Sequence, residues 1–469
     1  MLFSSSVFLF QFLPLVLFLF YIIKTYRLRL GLLLLSSLVF YAYWNYKYLG
    51  LLFLSILIDY YVGIWIDESN SQKKRKRLLV LSLVSNLGIL FVFKYFNFFI
   101  DTVNTLSNYF GTGVGSSLTL SLVLPVGISF YTFQSMSYTI DVYRRKTNAH
   151  RDFLAFFTYV SFFPQLIAGP IIRYSDLLPQ LESNTNMSRF EWKYINQGIY
   201  FFVVGLAKKI LIADRVGVAI DPLIADLANV SSLEAWIAMV GYAIQLYFDF
   251  SGYSDMATGL GKFFHLDFPQ NFASPYKSKS ITEFWRRWHL SLSSWLRDYL
   301  YISLGGNRKG ASRTYINLLV TMLLGGLWHG AGWNFVIWGA MHGGALALER
   351  KIKDLNLVIS VPGYFKTMFC FFYVCLAWVF FRAETFDKAI LWFNRMFSFD
   401  SASTLNILGR HESRMIAALV LGLLIAFKAK NAFEKVDSYK SMRFVWMAVL
   451  FVFSLMYLRS ESVFLYFQF

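Results

Sequence analysis

Apolar stretches of membrane-spanning length recur from the first residues of this 469-residue chain to the last. A spanning helix needs about 20 predominantly apolar residues. Windows of that kind fall near 5–23, 30–45, 50–66, 78–96, 117–140, 152–172, 196–214, 233–249, 314–328, 333–349, 364–381, 414–429 and 443–458. Several hold Pro, Gly or charge and read as re-entrant or broken, so about eleven true crossings are expected. A soluble chain of this length would hold about three domains. Composition argues against that: 57% of residues are hydrophobic and 15% charged, against roughly 45–50% and 25% in soluble domains. The fold class expected is an all-α polytopic membrane protein, with one domain over 1–469 and a catalytic core near 120–350.

Lys and Arg number 44 and Asp and Glu 27, a formal charge of +17. The cations sit mainly in short loops between apolar segments, where they set orientation against an anionic inner leaflet. No basic face with a nucleic-acid motif accompanies them, so no nucleic-acid partner is expected. The clusters Lys24, Arg27, Arg29 and Lys73, Lys74, Arg75, Lys76, Arg77 are separated by two apolar segments. Both therefore fall on the cytoplasmic side, with the N-terminus outside. The segment Leu2 to Ile23 lacks a basic n-region and a small-residue cleavage site. It reads as a retained helix, kinked or broken near Pro14.

Residues 250–313 are too polar to span and too aromatic for an ordinary loop. Phe284, Trp288, Leu292, Trp295 and Tyr299 recur at steps of three and four, one apolar helical stripe. Two readings stay open: an amphipathic helix lying in the interface, or a segment that dips into the protein and lines a polar cavity.

Ionisable groups inside apolar segments are functional candidates because each is costly to bury. His150 and His411 sit among polar residues and read as solvated. His329 follows an apolar helix and lies among Gly325, Gly326, Gly330 and Gly332. It can serve as a general base near neutral pH if burial and a partner tune it, or it is a satisfied buried histidine at a helix end. His289 follows Arg286 and Arg287, whose planar donor forks suit the phosphates of a nucleotide-type donor. Alternatively the arginines are interfacial anchors. His342 reads as packing or support. There is no Gly-x-Ser-x-Gly elbow, Walker A loop or His-Glu-x-x-His motif. No Cys/His spacing suits a metal, and Cys370 and Cys375 read as buried packing.

Together the motifs resemble those of the membrane-bound O-acyltransferases, within them the bacterial alginate O-acetylation branch. The matching stretches are Leu124 to Tyr131, Phe163 to Pro170, Leu246 to Asp255, Phe284 to His289, Trp295 to Tyr301, Leu304 to Arg308 and Leu327 to Gly330. The resemblance implies a helical ring around a central tunnel or opposed funnels. It implies acetyl transfer from a cytoplasmic acetyl-CoA-type donor, with no bound cofactor, towards an extracytoplasmic polysaccharide of alginate type. The family's catalytic histidine falls on His329 and its second motif histidine on His289. Arg286, Arg287, Trp328, Asp249 and Asn307 are the donor- or substrate-binding candidates. An SGNH-type acetyltransferase outside the membrane, the polysaccharide acceptor and membrane lipid are the implied partners, and the bacterial inner membrane the location. Tyr466, in the aromatic stretch Phe464 to Phe469, is either a transient acetyl carrier or an aromatic interface anchor. Peptidoglycan, then cellulose, are the next acceptors. A transporter would show paired repeats, which the sequence lacks. A scaffold of a polymer export complex is the other alternative from outside the enzymes.

Overall fold

A computed structural model describes residues 1–112, 118–183, 190–357, 360–398, 410–436, 443–458 and 464–465. Among the described residues the regular elements are all helical. Three helical stretches are long and apolar enough to cross a membrane: Tyr26–Glu68, Gln72–Phe110 and Gly363–Arg382. The first is two helices, Tyr26–Asn45 and Leu49–Glu68, joined by a short turn at Tyr46–Tyr48. Phe8–Ile22, Ile416–Lys428 and Phe444–Met456 are shorter apolar helices. The chain forms two compact units, Met1–Tyr194 with Gly261–Phe268, and Ile195–Leu260 with Pro269–Phe469.

In the first unit the opening segment is interrupted next to Pro14, as expected. A wide π turn at Phe8–Phe12 gives way to the helix Leu13–Ile22, with Pro14 as its second residue. Each flanking basic cluster contains one arginine that is buried rather than solvated. Arg29 Nε donates to the carbonyls of Phe20 (3.1 Å) and Ile23, closing the end of the preceding helix. Arg75 donates to Ile66 O (2.6 Å), Val142 O and Tyr143 O (both 3.0 Å), closing two helix ends at once. Carbonyls at a helix C-terminus have no intrahelical partner, and a cation there also suits the dipole. Deeper in, the buried carboxylate of Asp59 accepts from Ser82 Oγ (2.6 Å) and Asn86 Nδ2 (2.8 Å), a polar staple between neighbouring helices.

The apolar window 117–140 becomes helical only from Ile128, because Pro125 and the left-handed Gly127 (φ +80°) precede it. The window 152–172 breaks into Phe153–Ser161 and Phe163–Leu166, both almost wholly buried. His150 is a correction to the sequence reading. It is buried against Tyr174 (Nδ1 to the hydroxyl, 3.3 Å) and within 3.6 Å of Glu182, because the fold closes over it. The side chain of His411 lies outside the described residues.

In the second unit the helices Ala311–His329 and Trp333–Asp354 form a tight hairpin. Glycines make the approach possible. A Cβ on Gly326 would stand 2.1 Å from Phe335 O, and one on Gly339 would stand 2.4 Å from Met322 O. Small residues at such contacts let backbones pack closely where no water drives association. Cys370 and Cys375 are buried, as their apolar helix implied.

Gly326→Ala is expected to cost about 1–3 kcal/mol through overpacking. Gly344→Ala, on the same hairpin but with open space at its Cβ, is expected to be neutral or to stabilise by up to about 1 kcal/mol. Thermal unfolding of the two variants in one detergent measures the difference.

Candidate active site

His329 is the last residue of its helix, and the turn Gly330 to Gly332 leads directly into the next. Asn334 Nδ2 donates to Ala383 O (2.8 Å), which pins that turn to the end of the helix Gly363–Arg382. The imidazole lies among Trp328, Trp338 and Phe381, with ring centroids 5.0, 5.1 and 5.2 Å away. It is 5% exposed, whereas Trp333, just past the turn, is 55% exposed. His329 therefore lies one turn below the protein surface.

The stripe from Phe284 to Tyr299 is fully buried, which excludes the interfacial helix. It is also not one helix. Ile281–Trp285 ends, residues 286–289 turn, and Leu290–Trp295 begins. The break falls on His289, whose backbone is left-handed (φ +44°). Such a break leaves N–H groups without helical partners, and the side chains supply them. His289 Nδ1 accepts from Leu292 N (3.2 Å), and Asn271 Oδ1 accepts from Ser291 N (3.2 Å) and Ser291 Oγ (3.0 Å). Glu349, on the hairpin, accepts from the N–H groups of Ile281 (2.6 Å) and Thr282 (2.9 Å). A carboxylate is favoured at that helix end.

The capping bond has a chemical consequence. An Nδ1 that accepts a backbone proton places the neutral ring's own proton on Nε2. His289 is thus set as a hydrogen-bond donor, not as a base. Its ring packs against Phe250 (4.7 Å) and edge-on to Trp328 (6.3 Å). Trp328 consequently touches both motif histidines and joins them in one aromatic cage. His342 accepts from Trp285 Nε1 (3.2 Å) and is packing, as expected.

The remaining candidates separate. Arg286 and Asn307 line a cavity of about 1680 Å³ that also takes in Lys279, Arg297, Lys353 and Lys366. Arg297 is paired with Asp298 at 2.7 Å; Arg286, Lys353 and Lys366 have no ion pair among the described residues. Arg287 is turned away, held by Glu283 (2.8 Å) and Ala273 O (3.1 Å). Asp249 is buried on the helix Ser232–Phe263, 2.7 Å from Lys209, which also meets Asp214 at 2.8 Å. The other oxygen of Asp249 accepts from Leu465 N (3.0 Å), and Phe464 lies 4.5 Å from the Lys209 ammonium. Tyr466 lies outside the described residues. Neither this cavity nor a second one beside Lys430 is lined by His289 or His329.

The model of the membrane-bound O-acyltransferase family matches residues 38–386. The chain belongs to this family. It is similar to the probable alginate O-acetylase AlgI of Azotobacter vinelandii, at 46% identity over 91% of this chain and 84% of that protein. The corresponding protein of Pseudomonas putida is 44% identical over 94% of this chain and 89% of its own length. A peptidoglycan O-acetyltransferase of Helicobacter pylori is 36% identical over 100% and 98%. This membrane-bound O-acyltransferase is therefore an acyl-transfer enzyme with an all-helical membrane fold.

Sequence reasoning missed Asn271, Glu349 and Lys209. The signal for Lys209 was present: Lys208 and Lys209 interrupt one apolar segment, and Asp249 and Asp255 another. The structure pairs them, with Lys208 2.6 Å from Asp255. Asn271 and Glu349 cap backbone that the sequence shows only as a stripe, so nothing marked them.

In this O-acyltransferase His289→Asn is expected to fold normally, because Asn tolerates a left-handed backbone and can cap the helix. His289→Ala is expected to lose about 0.5–2 kcal/mol with the cap. If thermal unfolding places both variants equally low, the ring's packing outweighs its capping bond.

Proposed function

We propose that the protein is a multi-pass inner-membrane O-acetyltransferase that takes acetyl from an acetyl-CoA-type donor and delivers it to an extracytoplasmic polysaccharide of alginate type. His329 is the general base. It removes the proton of the accepting hydroxyl as that oxygen attacks the thioester carbonyl. The carbon–oxygen bond forms, the carbon–sulfur bond breaks, and the departing thiolate takes up the proton. His289, as a donor, steadies the charge that develops on the carbonyl oxygen. The observation that carries this reading is Trp328, whose ring meets both imidazoles. An activated thioester needs mainly positioning, a dry site and one proton acceptor.

The cavity holding Arg286 and Asn307 is the proposed donor site. Its cations belong to the stretches 279–297 and 350–366, which are rich in Lys and Arg. The bias of such residues towards the cytoplasm puts the cavity where a nucleotide-type donor is found. The turn that carries the exposed Trp333, next to the cage around His329, is the proposed side of approach for the acceptor. Tyr466 is the proposed first acceptor, passing acetyl on to an SGNH-type partner; its near neighbours Phe464 and Leu465 dock beside Tyr253 and Asp249. Peptidoglycan is the second reading, favoured by the end-to-end match to the H. pylori relative.

His329→Ala is expected to lower ester-linked acetate on the target polymer about 10²–10⁴-fold. The assay is acetate released by mild base from separated exopolysaccharide and wall fractions of cells carrying the variant. Acetylation at the parental level in both fractions would remove His329 as the base. The fraction that loses acetate identifies the polymer. Arg286→Gln is expected to raise the KM for the donor more than it lowers kcat, and Tyr466→Phe to abolish acetylation while leaving donor binding intact.

A further inference from the structure

The cavity that Lys279, Arg286, Lys353 and Lys366 line has one acid in its wall among the described residues, Glu349. A carboxylate at such a place repels an anionic ligand. Its hydrogen bonds show what it does instead. Oε1 accepts from Ile281 N (2.6 Å), and Oε2 accepts from Thr282 N (2.9 Å) and Thr282 Oγ (2.6 Å). The short helix Ile281–Trp285 already has a local cap. Ser280 Oγ accepts from Glu283 N (3.0 Å), and Glu283 Oε2 accepts from Lys279 N (2.9 Å). Glu349 belongs to another element, the helix Trp333–Asp354, so its bonds join two elements rather than finish one. His342 stands two turns before Glu349 on the same face of that helix. It accepts from Trp285 Nε1 (3.2 Å), at the other end of Ile281–Trp285. The short helix is thus held at both ends to one face of its neighbour. The next residue is Arg286, whose side chain lines the cavity, and the left-handed His289 follows.

We propose that Glu349 is a positioning residue for the donor: with His342 it clamps Ile281–Trp285 to the hairpin and so sets Arg286 in the cavity wall, where it meets the donor's phosphates. The inference rests on the reading of this cavity as the donor site. Both oxygens of Glu349 are committed to the clamp, and its effect on the donor runs through Arg286. The helix that carries the clamp starts at the turn after His329, so one element fixes the donor's cationic contact and leads from the proposed base. Such an arrangement holds the two ends of a reaction at a set separation. A carboxylate acting as a plain negative charge has the opposite sign: its removal would favour an anionic donor.

The test uses inside-out membrane vesicles of cells that make the full chain. Thiol release is followed as acetyl-CoA is varied and corrected for vesicles lacking the chain. Glu349→Gln keeps the side chain's shape but turns an amide NH2 towards N–H groups. It is expected to raise the KM for acetyl-CoA about tenfold while kcat stays within about twofold. Glu349→Asp keeps the charge, shortens the reach and should also raise KM. In the Arg286→Gln background Glu349→Gln should add no more than about twofold, because the side chain it positions is gone. Thr282→Val, which removes only the hydroxyl donor, is the milder variant if Glu349→Gln fails to fold, with KM expected to rise about twofold to threefold. A fall in KM in Glu349→Gln, a loss of kcat at constant KM, or full multiplication of the two effects in the double variant overturns the proposal. For Thr282→Val an unchanged KM does the same. Failure of the donor-site reading looks different: Arg286→Gln alone then leaves KM unchanged, and the inference falls with it.

Discussion

Backbone polar groups have no water to turn to in apolar surroundings, and the architecture follows from where each helix end finds its partners. Where the chain runs as unbroken helix the bonds are internal. Where it breaks, a side chain closes the gap. Arg29 and Arg75 cover carbonyls at helix ends, Glu349 covers the N–H groups that open Ile281–Trp285, and His289 covers the one that opens Leu290–Trp295. Each of these four residues is ionisable. Counted by type alone they look like topology signals or catalytic groups, and their first task is to make irregular backbone tolerable inside the protein.

That constraint also divides labour between the two motif histidines. His289 is committed through Nδ1 to a backbone amide, so its chemistry is limited to what Nε2–H can donate. His329 ends its helix within an aromatic cage, one turn from the exposed Trp333. The two imidazoles, joined by Trp328, give the proposed transfer a hydrogen-bond donor and a base. Rings at 5.0–5.2 Å give His329 largely apolar surroundings, and polar interactions are stronger in such a medium than in water.

Much of this was legible in the sequence. Helical class and the interruption near Pro14 follow from hydropathy and Pro placement; the segment 250–313 is less separate than its polarity implied, since the helix Ser232–Phe263 runs through its start. What stayed hidden were tertiary partners. The stripe Phe284, Trp288, Leu292, Trp295, Tyr299 has helical period, yet the backbone turns at 286–289 because Asn271 and Ala273, far back in the segment, bond to both sides of the turn. Periodicity records which residues are buried and not whether one helix carries them. His150 failed for a similar reason: its neighbours in sequence are polar, but Tyr174 and Glu182 enclose it in space. Arg286 and Arg287 are adjacent and chemically identical, and only the fold sends one to a cavity and the other to Glu283.

The cluster around Lys209 ties the end of the described chain to the interior. One ammonium faces two carboxylates, Asp214 and Asp249, inside the protein. Burying charged groups is costly unless further hydrogen bonds satisfy them. The N–H of Leu465 provides one, donating to the Asp249 oxygen that Lys209 does not reach, and the Phe464 ring sits against the ammonium from another side. The docked pair 464–465 thereby belongs to the electrostatic balance of the helix Ser232–Phe263. Losing that contact leaves an Asp249 oxygen without its backbone donor.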